Sequence, residues 1–227
     1  IFASNFFMDL AKKLFILLLV FFVFSCSSKK SVLYVQDLNN NLQYKNDYSE
    51  HVVRADDILK ISISTDNPET MQMFSASTRS EFNDSRESLT FKGFYVDKEG
   101  YINYPSLGRI KVSGFKTTEV RTLLYNKLVE LQIFVDPNVD VKVLNLNFTV
   151  LGEVKNPGKY FFDNNINLFQ ALGVAGDLTI NGNRNDIKLI RDINGTKDIY
   201  TIDLTKSDFL ENNIYQILSG DIIIVNP

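Results

Sequence analysis

Two pairs of carboxylates stand close together in this chain, Asp56 with Asp57 and Asp97 with Glu99. Paired acids are what a glycosidase uses as proton donor and base or nucleophile. Their settings argue for other work. Neighbours on a strand point to opposite faces, so Asp56 and Asp57 do not converge on one bond if the strand begins there. Asp97 and Glu99 fall in Asp97-Lys98-Glu99-Gly100, a turn sequence with Gly100 available for positive φ. His51 is the only histidine, so a Ser-His-Asp triad would depend on it alone. It precedes the first strand in a polar stretch and reads as a surface residue. Cys26 is the only cysteine, which excludes a disulfide framework within the chain and a multi-cysteine zinc site. Gly152, Pro157 and Gly158 lack the Lys-Ser/Thr ending of a phosphate cradle and read as backbone geometry. Arg184, Lys188 and Arg191 could touch an acidic polymer, but they read as the solvated face of a strand. No catalytic, cofactor or metal site follows from these residues.

The 227 residues allow one large domain or two small ones. With 44% hydrophobic and 22% charged residues the chain has enough apolar matter to fold. A net charge of -3 argues against a nucleic-acid partner, which needs a clustered basic face. Eleven apolar residues run unbroken from Leu14 to Phe24 behind Lys12 and Lys13. As a helix they would cover about 16 Å, half of a bilayer core, so they read as a secretory signal rather than a span. Met8 is the natural start, which leaves residues 1–7 as possible untranslated sequence. Val23-Phe24-Ser25-Cys26 resembles the end of a bacterial lipoprotein signal, in which the cysteine becomes the acylated first residue. Each buried methylene contributes ~0.8 kcal/mol, so several acyl chains hold a soluble body at a bilayer. Residues 26–50 read as a polar, lipid-anchored linker, with Val32 to Val35 able to add an edge strand.

The elements that follow are strands and helices of an α+β fold. Leu59, Ile61 and Ile63 alternate with Lys60, Ser62 and Ser64 as a half-buried strand. Thr65 to Lys92 is polar and irregular, long enough to be a functional excursion. Phe94 to Val96 and Tyr101 to Tyr104 flank a turn, and Pro105 to Gly108 turns again into Arg109–Val112. Thr117 or Thr118 can cap a helix whose stripe is Val120, Leu124, Leu128 and Leu131. Val139, Val141 and Val143 alternate as a strand. A second group begins near Asn147 with a strand to Val154, a turn, and a return to Phe162. Asn167 can cap a short helix closed by Gly176, and strands at 187–190, 199–204 and 222–225 complete it. One helix across a mixed sheet resembles a β-grasp unit.

Several of these stretches carry a family resemblance. Val53-Arg54-Ala55-Asp56-Asp57-Ile58-Leu59-Lys60-Ile61 resembles the opening motif of the polysaccharide export domain, with Asp56 where the family usually has Gly. Asp97-Lys98-Glu99-Gly100-Tyr101-Ile102, followed by Pro105-Ser106-Leu107-Gly108 and Gly114, resembles its next motif. Gly152-Glu153-Val154-Lys155-Asn156-Pro157-Gly158, then Ala171 to Gly176 and Asp177-Leu178-Thr179, is similar to the soluble-ligand-binding β-grasp (SLBB) domain. The chain thus divides into a signal peptide (1–25), a linker (26–50), an export domain (51–146) and an SLBB domain (147–227), two small mixed-sheet units. The motif residues are Asp57, Gly100, Pro105, Gly108, Gly152, Pro157, Gly158 and Gly176, with Cys26 as the lipidation site.

The resemblance implies a non-enzymatic component of an oligomeric conduit for capsular or extracellular polysaccharide, without a cofactor. It implies a homo-oligomeric ring, an outer-membrane lipid anchor with the body in the periplasm, and an inner-membrane polysaccharide copolymerase and tyrosine kinase as partner. Relatives of this kind usually continue into a membrane-crossing helix, so the expectation is that such a segment follows Pro227. Two other classes stay open: a monomeric periplasmic glycan-binding lipoprotein, and a secreted sugar hydrolase.

Overall fold

The computed structural model describes residues 33–38, 49–65, 93–134, 136–163, 165–193 and 195–227. The signal sequence, Cys26, most of the linker and the polar excursion at 66–92 lie outside the described residues. Within them the architecture is α+β, with two cores.

The first core is built on β1 (Ile58–Ser64), which turns Leu59 and Ile61 inward and Lys60 and Ser62 outward. It is the central strand of three, antiparallel to β2 (Phe94–Tyr95) and β5 (Asn138–Val143). Val139, Val141 and Val143 give β5 the same alternation. Helix α1 (Thr117–Glu130) lays Val120, Leu124 and Leu128 on this sheet. Burying each such side chain stabilises the fold by ~1.5–3 kcal/mol. Leu131, expected on that stripe, is the capping residue and is 57% exposed. The helix has ended, so helical periodicity no longer carries its side chain inward.

A hairpin of β3 (Tyr101–Tyr104) and β4 (Gly108–Lys111) completes this unit and adds Ile102, Tyr104 and Ile110 to its core. The sequence suggested that Phe94–Val96 would pair with Tyr101–Tyr104. Instead Phe94 and Tyr95 pair with β1, while β3 turns back on β4 as the second expected turn, Pro105 to Gly108, requires. The tight turn decides it. Pro105 presets one dihedral, Ser106 takes φ +65°, and the Leu107 amide donates to the Tyr104 carbonyl at 3.2 Å.

The second core lies under a five-stranded mixed sheet, ordered β10-β9-β12-β6-β7. Its strands are β6 (Asn147–Gly152), β7 (Gly158–Phe161), β9 (Ile187–Ile193), β10 (Thr196–Ile202) and β12 (Ile222–Val225). β12 runs parallel to β6 and antiparallel to β9. A short pair of β8 (Ile166–Asn167) with β11 (Gln216–Ile217) leads into helix α2 (Leu168–Val174). Asn167 and Gln170 cap α2 reciprocally, each side chain accepting the other's amide at 2.9 Å. The helix buries Leu168, Ala171 and Leu172 with Phe148, Val150, Leu189 and Ile223. Phe162 packs against both cores, and its amide donates to the Leu146 carbonyl at 3.1 Å.

One glycine fixes how closely two strands approach. Gly152 has φ +87°, and a Cβ built there would stand 2.0 Å from the Val225 carbonyl oxygen. Gly158 has open space around the same position. Gly152→Ala is therefore expected to lower stability by more than ~1 kcal/mol, while Gly158→Ala stays within ~0.5 kcal/mol of wild type. Urea unfolding midpoints check this, and equal midpoints would contradict it.

Candidate functional site, the clasp and the strap

Three successive residues, Ser49, Glu50 and His51, bind three different parts of the body. The Gln216 side chain of β11 reads the Ser49 backbone as another strand would. Its Oε1 accepts from the Ser49 amide at 2.7 Å, and its Nε2 donates to the Ser49 carbonyl at 2.9 Å. Glu50 caps α1 from outside the helix. It accepts from Thr117 Oγ1 at 2.6 Å, from the Thr118 amide at 2.8 Å and from Thr118 Oγ1 at 2.9 Å. The threonines expected to cap by accepting thus donate to a carboxylate, which also suits the positive end of the helix. Glu119 supplies the reciprocal bond, accepting from the Lys116 amide at 2.7 Å. Burial acts to raise the Glu50 pKa, but the bonds from Thr117 and Thr118 outweigh it and hold the carboxyl below its ordinary range.

His51, expected on the surface, is largely buried, with Nε2 2.7 Å from Asp57 Oδ2. The same carboxylate oxygen accepts from the Arg54 amide at 2.8 Å, so Asp57 closes the turn into β1 and holds the histidine beside it. A cleft of about 580 Å³ opens beside Glu50, His51, Lys142, Asp163 and Asn165. Its two most chemically capable groups are already engaged, Glu50 with α1 and His51 with Asp57.

Gln216 is held in turn by a buried ion pair. Arg191 is 5% exposed and Asp221 1%. Arg191 Nε and Nη2 meet the two carboxylate oxygens of Asp221 at 3.0 and 2.6 Å. Its remaining donors reach the carbonyls of Asn213 at 3.0 Å and Gln216 at 2.7 Å. Asp221 also accepts from the Leu218 amide at 2.8 Å. Arg191 and Arg184, at 7% exposure, are therefore not a solvated face. Lys188 alone of the three behaves that way, pairing with Asp186 at 2.7 Å. The sequence held the clue: Arg191 is in phase with the inward Ile187 and Leu189 of β9.

Residues 33–38 form a strap on the second unit rather than an edge strand. The Val35 amide donates to the Leu204 carbonyl at 2.9 Å, and the Gln36 amide to the Thr205 carbonyl at 2.7 Å. Val35 takes φ +44°, a conformation that costs a β-branched residue roughly 1–3 kcal/mol. Tyr34 meets Phe169 edge-on, with ring centroids 5.6 Å apart, and its hydroxyl donates to Asp177. Burial, then the Asp177 carboxylate, pushes its phenol up to about 12, against the pull of Arg184.

The remaining motif residues shape turns. Gly100 has φ +84°, and its carbonyl accepts from the Val112 and Ser113 amides at 2.9 and 3.0 Å. Gly108 opens β4 after the Pro105 turn. Lys155 and Asn156, ahead of Pro157 and Gly158, donate their amides to the Asp177 and Ala175 carbonyls at 3.1 and 2.9 Å. That seats the turn against the end of α2, where Gly176 takes φ +83°. Cys26 lies outside the described residues. Asp97 and Glu99 converge on one nitrogen of Arg109, at 2.7 and 3.5 Å. Asp56 bonds to the Tyr95 hydroxyl, and Asp97 bonds Arg109 at 2.7 Å, which holds its carboxyl below the usual range. A general acid needs the opposite shift.

Residues 45–144 match the family described as polysaccharide biosynthesis/export protein, and residues 147–201 match the SLBB domain. The chain thus carries a polysaccharide export domain followed by an SLBB domain. It is similar to the EPS I polysaccharide export outer membrane protein EpsA of Ralstonia solanacearum, 28% identical over 179 residues covering 75% of this chain and 46% of that one. The protein of the same name from Ralstonia nicotianae is 32% identical over 143 residues, 60% of this chain and 37% of that one. The chain thus spans less than half the length of these curated relatives. Ser49, Glu50 and His51 lie within the export-domain match, while Gln216 lies beyond residue 201, where the SLBB match ends. The clasp therefore ties the export domain to the stretch that follows the SLBB match.

Removing one partner of the buried pair is expected to cost ~3–5 kcal/mol, because the other charge is left unpaired in the core. Arg191→Met should show that loss in denaturant unfolding, and Arg191→Met with Asp221→Leu should recover part of it. No recovery in the double variant would contradict this. Glu50 gives a pH signature. A carboxylate with a folded pKa below its unfolded value stabilises the fold above the unfolded value, and this is lost as pH falls through the folded one. Glu50→Gln should be less stable than wild type at pH 7, and the gap should close as pH falls below ~4. A gap unchanged with pH would contradict the assignment.

Proposed function

We propose that this protein is a lipid-anchored subunit of an oligomeric conduit that exports capsular or extracellular polysaccharide. The observation that carries this reading is the order of its parts: an export domain followed by an SLBB domain, aligned along 75% of the chain with a protein named for polysaccharide export. On this reading Cys26 carries the lipid, the residues that follow it form a tether that touches the body at 33–38 and joins it at Ser49, and the body, residues 51–146 and 147–227, stands in the periplasm against the outer membrane. Identical subunits close into a ring through heterologous interfaces. An inner-membrane polysaccharide copolymerase and tyrosine kinase delivers the chain.

The function needs no bond-making step. A conduit must present polar surface with weak, repeated contacts, since tight binding would stall a long polymer. The chemistry of the body supports that role. The carboxylates that could serve hydrolysis are committed to turns and ion pairs, with Asp97 held ionised by Arg109. The positive-φ glycines and the buried ion pair favour a body of fixed shape. Among the described residues no helix is long and apolar enough to cross a membrane.

Deletion of the gene should abolish surface polysaccharide and leave polymer inside the cell. The wild-type gene should restore export, and its product should take up labelled palmitate. Cys26→Ala should abolish the label and release the protein from the membrane fraction. A deletion strain that keeps its coat would refute the export role, and a label that persists in Cys26→Ala would refute the anchor.

A further inference from the structure

Among the described residues Tyr34 and the amides of Val35 and Gln36 help to hold the strap, and what lies under the Tyr34 side chain is polar. Tyr34 sits beneath the Arg184 guanidinium, whose central carbon is 5.0 Å from the ring centre. Its hydroxyl donates to Asp177, and Phe169 forms the wall beside it, with Phe209 and Tyr215 packed behind. Arg184 is buried, and one of its terminal nitrogens reaches the Gly182 carbonyl at a long 3.4 Å. Its Nε has no hydrogen-bond partner among the described residues. Leaving a buried guanidinium N–H without an acceptor is costly, and such groups call for an explanation. Tyr34 meets this guanidinium with its ring face and with its hydroxyl, and neither supplies Nε with an acceptor.

The socket therefore has three features: a carboxylate that accepts, a buried Arg184 N–H with no acceptor among the described residues, and an aromatic wall. Those are the complements of a pyranose ring. A sugar hydroxyl replaces the Tyr34 hydroxyl on Asp177, a sugar oxygen meets Arg184 Nε, and the C–H face lies on Phe169. We propose that this socket is a subsite for one sugar ring of the exported polymer, and that Tyr34 is its built-in competitor. The proposal rests on the export reading and adds the place of contact. The strap is built to come away. Leu33 and Leu38 on either side of Tyr34 are exposed, Val35 is strained at φ +44°, and the Val35 and Gln36 amide bonds are among those that must break. A sugar that displaces Tyr34 relieves that strain and gives Arg184 its missing acceptor. The competitor keeps each contact weak, as passage of a polymer requires.

The test uses the full chain as wild type, Tyr34→Ala and Tyr34→Phe, each checked for an unchanged circular dichroism spectrum. Calorimetric titration uses maltohexaose as the neutral probe and hexagalacturonate as the acidic one. Hydrogen exchange at the Val35 and Gln36 amides is followed in parallel. Tyr34→Ala should bind at least one probe more tightly than wild type, by about tenfold if the strap is closed nine-tenths of the time. Tyr34→Phe, which loses only the bond to Asp177, should fall between them. In wild type, saturating sugar should speed exchange at both amides. A response to hexagalacturonate alone supports a uronate carboxylate on Arg184, and a response to both probes supports a ring or hydroxyl oxygen. Equal affinity in wild type and Tyr34→Ala, or no binding by either, overturns the proposal, as does binding that leaves both amides protected. If such a result comes while the gene still restores surface polysaccharide to a deletion strain, the socket fails and the export reading stands. A deletion strain that keeps its coat removes the export reading whatever the titration gives.

Discussion

A guanidinium and a carboxylate buried against each other, Arg191 and Asp221, fix the arrangement on which the rest depends. Taking two charges out of water is expensive, and the cost is met only when every donor and acceptor is satisfied. Here they are: both carboxylate oxygens are engaged, and the guanidinium reaches two further carbonyls. The consequence is geometric. Arg191 belongs to β9, Asp221 leads into β12, and Asn213 and Gln216 belong to the segment before it. The Asp221 carbonyl also accepts from Thr149 of β6 at 2.9 Å. One pair thus sets three strands and a loop relative to one another.

That arrangement reaches the other domain through Gln216. Gln216 offers its amide to both polar groups of the Ser49 backbone, and the next residue, Glu50, caps the helix of the export domain. Phe162 adds an apolar contact shared by the two cores. The ring proposed above needs such joints, because a heterologous interface closes only if each copy presents its two contacting surfaces at the same angle. The strap differs in kind. It lies on the second unit through Tyr34 and the Val35 and Gln36 amides, with a strained residue between, and in the proposal above it is the part that moves.

Local pattern revealed most of the elements and little of what joins them. The alternation of β1 and β5, the stripe of Val120, Leu124 and Leu128, and the Asn167 cap are all visible within a dozen residues, where period and side-chain chemistry act. Leu131 failed because periodicity cannot say where a helix stops. His51 and Glu50 were opaque because a polar residue in a polar stretch carries no sign of a partner, and Glu50 finds its partner 67 residues away. Tyr34 and Asp177, 143 residues apart, left no local signal at all. Arg191 was legible in principle: a charge at an inward position of an otherwise apolar strand must be paired, and only the identity of the partner requires the fold. The motif glycines belong between these cases. Their turns are local, but the reason Gly152 tolerates no side chain is the carbonyl of Val225, 73 residues further on.

The central claim is that this body works as one of several identical copies closed around a passage. Native mass spectrometry of the full-length protein extracted from membranes in mild detergent measures that directly. A closed ring predicts one dominant mass at a fixed whole-number multiple of the lipidated subunit, unchanged on dilution. A spectrum of monomers alone, or an open ladder of multiples with no preferred member, would contradict it.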